Sequence, residues 1–160
     1  GHRRIGLISG SSEYSLSERR VAGWRTEMKR LGLPPDDLLA NGDFTYLSGV
    51  AATEQLLDLP DRATAIIASN DRMALGGLAV ARERGLDIPN DLSLICFDNT
   101  PVVRFTARLV GPAGPPLPAM AGVAVEMIIR SLRGQDIPPQ PLIVEADLVQ
   151  RNSTAPPLGV

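Results

Sequence analysis

The sequence predicts an α/β fold with a doubly wound parallel sheet, and three observations carry that prediction. Four short apolar runs alternate with stretches of helical periodicity in the order β-α-β-α-β-α-β, with short connections. Each helical stretch is followed by glycine or proline, which stops the helix and returns the chain to the sheet. Two of the apolar runs end in polar residues, Asn70-Asp71 and Asp98. Carboxyl ends of strands are where open α/β sheets take small molecules.

Ile5 to Ser9 reads as a buried strand and Gly10 to Glu13 as a polar loop. Ser15-Leu16-Ser17-Glu18 has the spacing of a capping box, the Ser15 hydroxyl accepting a backbone amide while Glu18 reaches back. Val21, Trp24, Met28 and Leu31 then share one helical face, which places Trp24 in the core. Leu38 to Ala40 is a short strand. The helix from Ser48 to Leu57 is expected to bury Leu47, Val50, Ala51, the stem of Glu54 and Leu57. Ala65 to Ala68 makes the third strand, and Ala74, Leu75, Leu78 and Ala81 form the stripe of the helix after it. Leu92 to Phe97 is the fourth strand.

Beyond Asn99 the pattern changes. Gly111, Pro112, Gly114, Pro115, Pro116 and Pro118 are too dense for a central strand. A helix over Leu117 to Leu132 follows, apolar at Leu117, Met120, Ala121, Ala124, Ile128 and Leu132. Pro138, Pro139 and Pro141 make a stiff connector to a last strand, Leu142 to Val149, and the tail has no periodicity.

With 160 residues, 44% hydrophobic and 21% charged, the chain suits one soluble domain with a core. A net charge of -2 provides no general field for DNA, and the arginines near the front read mostly as a solvated helix face. The single cysteine, Cys96, sits in a strand pattern and points to a reducing compartment. No apolar run approaches the ~20 residues of a membrane span, and no signal segment precedes Ile5. There is no Cys/His metal spacing and no Ser-His-Asp set, and the one histidine, His2, stands at the chain start. No metal, no cofactor and no enzymatic activity are expected.

Six motifs, in order, resemble the effector-binding module of LacI-type bacterial transcriptional regulators. They are Gly1-His2-Arg3-Arg4-Ile5-Gly6; Ser17-x-x-Arg20-x-x-Gly23-Trp24; Gly42-Asp43-Phe44; Asn70-Asp71-x-Met73-Ala74-Leu75-Gly76; the stretch from Gly85-Leu86 through Phe97-Asp98-Asn99-Thr100-Pro101; and Arg151-x-Ser153-Thr154-Ala155-Pro156-Pro157. The resemblance implies one lobe of a type I periplasmic-binding-protein-like fold. Residues 1–110 and 138–157 would form the second lobe, and 111–137 a crossover and a helix belonging to the first. The family's DNA-binding helix-turn-helix and first lobe have no counterpart in the sequence. Val110 to Pro116 also departs from the family's crossover, which carries threonines and a glutamine. The implied protein is a cytoplasmic, homodimeric regulator that senses a sugar or related metabolite and touches DNA only through a separate N-terminal domain. The rival is a secreted sugar-binding protein of a transport system.

The candidate ligand-binding residues are Arg20, Phe44, Asn70, Asp98 and Tyr14. Arg20 aligns with the family's ligand-binding arginine, and its planar fork of donors suits hydroxyls or carboxylates; its spacing alone equally fits one more exposed arginine. Phe44 matches an aromatic that stacks on a ring. Asp98 ends a buried strand, where a carboxylate needs partners: ligand hydroxyls or a helix start. Asn70 fits a polyol contact and a helix N-cap alike. Tyr14 lies in the loop after the first strand without being a family signature. Asp71 is assigned to the dipole of the helix it opens.

Overall fold

The computed structural model describes residues 1–98, 100, 116–145 and 152–158. Its first part alternates strands and helices: β1 Ile5–Ser9, α1 Ser15–Arg30, β2 Leu39–Asn41, α2 Tyr46–Leu57, β3 Ala65–Ala68, α3 Asp71–Glu83 and β4 Ser93–Cys96. A further helix, α4, spans Leu117–Leu132. The four strands form one parallel sheet in the order β2-β1-β3-β4. This is the doubly wound α/β arrangement that the alternation of apolar runs predicts.

Strand alternation divides the core into two layers. Gly6, Ile8, Ile66, Ala68, Leu94 and Cys96 are buried on the face covered by α2 and α3. There Leu56 of α2 lies over Gly6, and Gly77 of α3 lies over Leu94. Leu56, Ile66 and Leu94 are fully enclosed. Truncating Leu56 to alanine is expected to cost about 3 kcal/mol, read by urea unfolding. A loss below about 1 kcal/mol would mean that this layer collapses to fill the gap. On the opposite face, α1 lies over part of the sheet, with Trp24 buried and its indole N–H donating to the Ile5 carbonyl at 3.1 Å. Past α1 the face opens into an apolar groove of about 730 Å³ bordered by Leu7, Trp24, Ile67, Phe97, Leu117 and Met120.

Several local expectations are corrected. Ser15 is the first residue of α1, not its cap: Tyr14 holds the cap position and no side chain caps the helix. The Ser11 hydroxyl instead takes the Glu13 amide at 3.3 Å, and its carbonyl takes that of Tyr14. Leu31 is exposed, and Leu33 enters the core beyond the turn. In α2 the buried face is Gly49, Ala52, Thr53, Leu56 and Leu57. Leu47 is 74% exposed, and Ala51 and Glu54 also face outward. Small residues are inside because α2 and α3 touch backbone to backbone: a Cβ on Gly49 would lie 2.4 Å from the Met73 Cα.

Residues 142–145 are not in a strand, Leu142 and Ile143 being exposed. Prolines 138, 139 and 141 supply no N–H with which to begin a ladder. The rest of that segment, and most of the proline-rich crossover, lie outside the described residues. The closing segment does pack: Leu94 N–H donates to the Ser153 carbonyl at 3.0 Å, and the Ser93 hydroxyl accepts from Ala155 N–H at 3.1 Å. His2 joins them, its ring nitrogens 2.9 Å from the Thr64 hydroxyl, 3.0 Å from that of Ser93 and 2.9 Å from the Ala155 carbonyl.

Candidate functional site

Four chain segments leave the carboxyl ends of the strands on the same side of the sheet, and their first residues form a cleft. All five sequence-predicted residues, Tyr14, Arg20, Phe44, Asn70 and Asp98, line it with Leu16 and Asp43. Its volume is about 410 Å³, within the range of sites for small metabolites.

Phe44 forms one wall. The Gly42-Asp43-Phe44 turn puts it at φ 71°, a left-handed conformation that costs a side-chain-bearing residue about 1–3 kcal/mol. Two contacts hold it there. The Asn70 side-chain amide donates to the Phe44 carbonyl at 2.9 Å, and Tyr14 meets the ring edge-on at 5.9 Å between centroids. Beneath the ring lies Gly10, where a Cβ would fall 1.9 Å from the Phe44 Cζ. Any side chain at position 10 must evict the ring.

Asn70 does local work with both ends of its side chain. Its Oδ1 accepts the Met73 amide at 2.9 Å, capping α3, while its Nδ2 fixes Phe44. The N-cap reading is therefore realised within the cleft lining. Its neighbour does more than the sequence suggested. Asp71 does open α3, but it is 2% exposed and accepts from the Cys96 thiol at 3.0 Å, from the Thr100 amide at 2.7 Å and from the Thr100 hydroxyl at 2.5 Å.

Arg20 projects from α1. Its Nη1 donates to the Ser69 carbonyl at 2.7 Å, and its guanidinium carbon sits 4.3 Å from the Phe97 ring centroid. Burial lowers its pKa, against the opposing charge of Asp98. Burial likewise pushes the Asp98 carboxyl above its ordinary range; Arg20 pulls it back and Asp71 pushes it further up. Desolvation thus outweighs mutual attraction for both groups, and each gains from further hydrogen-bonding partners. Asp98 is the second left-handed residue, at φ 78°. Asp43 differs: hydrogen bonds from Ser48, then Thr45, hold its carboxyl at about 2, so it is ionised throughout the neutral range.

The Asp98 shift has a signed consequence. A carboxyl raised in the folded state contributes most stability below its unfolded value and loses it as pH rises through the folded one. Asp98→Asn should therefore raise the melting temperature at pH 7 and leave it unchanged near about pH 3, where the carboxyl is protonated in both states. Thermal melts at the two pH values check this. A lower melting temperature at pH 7 would mean that the Arg20 attraction dominates after all.

Sequence reasoning missed Gly10, Ser69, Phe97 and the role of Asp71. Strand alternation could have found Phe97, which follows Ile95 by two residues and shares its face. Nothing local marks the others. Among the described residues no His/Cys/Asp/Glu group could hold a metal ion, and no helix is long and apolar enough to cross a membrane.

Known proteins share both sequence and shape with this chain. A family model for a periplasmic binding protein-like domain matches residues 1–154. The HTH-type transcriptional repressor CytR of Escherichia coli K12 is 36% identical over 155 residues, which is 96% of this chain and 46% of that protein. The chain thus spans about half the length of the curated relatives it matches. The transcriptional repressor ascG of Escherichia coli superposes with a TM-score of 0.89 at 31% identity, over 97% of this chain and 57% of that one. The transcriptional regulator CelR in complex with cellobiose superposes with a TM-score of 0.85 at 31% identity, over 96% and 47%.

Proposed function

The chain belongs to the periplasmic binding protein-like domain family and matches the C-terminal region of LacI-type regulators, and from that footing we propose that it is one lobe of the effector-sensing module of such a regulator. The observation carrying this reading is the convergence of Tyr14, Arg20, Phe44, Asn70 and Asp98 on one cleft at the carboxyl ends of the strands. An aromatic wall beside an arginine and an incompletely compensated carboxylate suits a polyhydroxylated ring. Hydroxyls donate to Asp98 and accept from Arg20, while the apolar ring face lies on Phe44. The ligand is a sugar or related metabolite, and the lobe binds without cofactor and without chemistry. The relatives named above are transcription factors, which favours a cytoplasmic regulator over a secreted transport receptor.

In this reading residues 1–110 and 138–157 form the lobe, and 111–137 cross to a first lobe that closes over the ligand. Support comes from α4, which buries none of its residues, and from the closing segment, which returns to β4. Ligand contacts that differ between open and closed arrangements then bias DNA-binding domains elsewhere in a homodimer. Thermal melts of the intact natural polypeptide against a panel of sugars, cellobiose included, test the proposal. One sugar should stabilise the intact protein by about 2.7 kcal/mol at a hundredfold excess over its Kd and leave the 160-residue chain unmoved. Micromolar binding by the 160 residues alone, or no response of the intact protein to any sugar, would overturn it.

A further inference from the structure

We propose that Asp71 is a positioning residue of the effector cleft: by accepting from Cys96 on one side of Asp98 and from Thr100 on the other, it fixes the backbone that presents Asp98 beside Arg20. The proposal rests on the reading of the cleft given above, but its test needs no effector.

The chemistry of the donor set carries the argument. Asp71 is buried, and among the described residues the groups that donate to it, the Cys96 thiol, the Thr100 amide and the Thr100 hydroxyl, are neutral. A buried carboxyl is costly unless its oxygens are hydrogen-bonded, and a plain helix start would be served by an exposed residue. What the position requires is two oxygens that only accept, which a carboxylate supplies and an asparagine does not. The two oxygens divide the work: Oδ1 takes Cys96 at the end of β4, and Oδ2 takes both groups of Thr100. Asp98 lies midway between these anchors, at φ 78°. A residue left in that conformation without fixed neighbours relaxes out of it. Asn70 provides the parallel, because its amide holds the other left-handed residue, Phe44. Two consecutive residues at the start of α3 thus fix the two strained positions of the cleft.

The experiment is nuclear magnetic resonance on the isotope-labelled 160-residue chain, reading two quantities. These are hydrogen exchange of the Thr100 amide and the backbone scalar couplings that report a positive φ at Asp98. Asp71→Asn should accelerate Thr100 exchange about tenfold or more and move the Asp98 couplings towards ordinary extended values. Thr100→Val should shift both in the same direction, and Thr100→Ser, which keeps the hydroxyl, should restore them. Leu56→Ala, remote and destabilising, should leave the Asp98 couplings unchanged. Wild-type couplings in both Asp71→Asn and Thr100→Val, or an equal change in Leu56→Ala, would overturn the assignment. If Asp71→Asn does not fold, the contrast between Thr100→Val and Thr100→Ser decides. Failure of the intact protein to bind any sugar would remove the effector reading while leaving the measured coupling between Asp71 and Asp98 intact.

Discussion

Gly76→Val is expected to leave the chain unfolded at 25 °C. A Cβ at position 76 would stand 2.5 Å from the Tyr46 carbonyl oxygen and 2.7 Å from the Val50 amide nitrogen, and one at position 49 would stand 2.4 Å from the Met73 Cα and carbonyl oxygen. The obstacles are backbone atoms of the facing helix, so no rotamer change relieves them and α2 must move away from α3. Both helices cover the same face of the sheet, and their displacement reopens the layer containing Leu56 and Ile66. Overpacking against mobile side chains costs about 1–3 kcal/mol. Here the loss should exceed about 4 kcal/mol, much of the 5–15 kcal/mol that ordinarily separates folded from unfolded states. Gly23→Ala is the control: it is also helical, but nothing lies within 4 Å of its Cβ. It should stabilise by about 0.5–1 kcal/mol. Urea unfolding followed by circular dichroism separates the two, and a Gly76→Val protein with a normal midpoint would show that the helix pair is not close-packed in solution.

Arg20→Leu should have the largest effect on binding. The side chain has a fixed anchor, the Ser69 carbonyl, and lies along the Phe97 ring, which leaves the rest of its donor fork for the cleft. In the proposed complex the ligand completes the burial of this half-buried guanidinium, and removing one member of a buried, hydrogen-bonded charged pair at an interface costs about 2–5 kcal/mol. Affinity of the intact protein for the sugar found by the melting screen should therefore fall at least about 100-fold. Leucine retains the apolar contact with Phe97, so the fold should survive. Titration calorimetry on protein with an unchanged circular dichroism spectrum is the measurement, and a fall of less than about threefold would remove Arg20 from the binding set.

Most of the sheet was legible because each strand is a short apolar run between turn residues, and such a run has few other uses. The helix faces were harder. Periodicity assigns an apolar stripe to α2 through Leu47 and Ala51, but the partner surface is another helix's backbone, and only Gly49, Ala52 and Thr53 are small enough to meet it. Hydrophobicity cannot express that preference. The capping box failed similarly, because the chain bends one residue before Ser15 and Ser11 satisfies the loop amides instead. In the cleft, Arg20, Phe44 and Asp98 stood out through motif and position at strand ends. Asp71 was assigned to the helix dipole because its partners, Cys96 and Thr100, lie 25 and 29 residues further along. Long-range hydrogen bonds leave no periodic trace in a sequence.

The packing of the closing segment on β4 has a topological consequence. His2 joins Thr64, Ser93 and Ala155 at the amino ends of the strands, and Pro157 comes within 3.4 Å of where a Cβ on Gly1 would be. Gly1 and Pro157 therefore meet on the side of the sheet away from the cleft. A short flexible linker could splice those two positions, and the chain could be reopened at an exposed turn such as the one around Asp61 without disturbing a strand or the cleft. The order in which the strands occur along the polypeptide is then separable from the order in which they lie in the sheet.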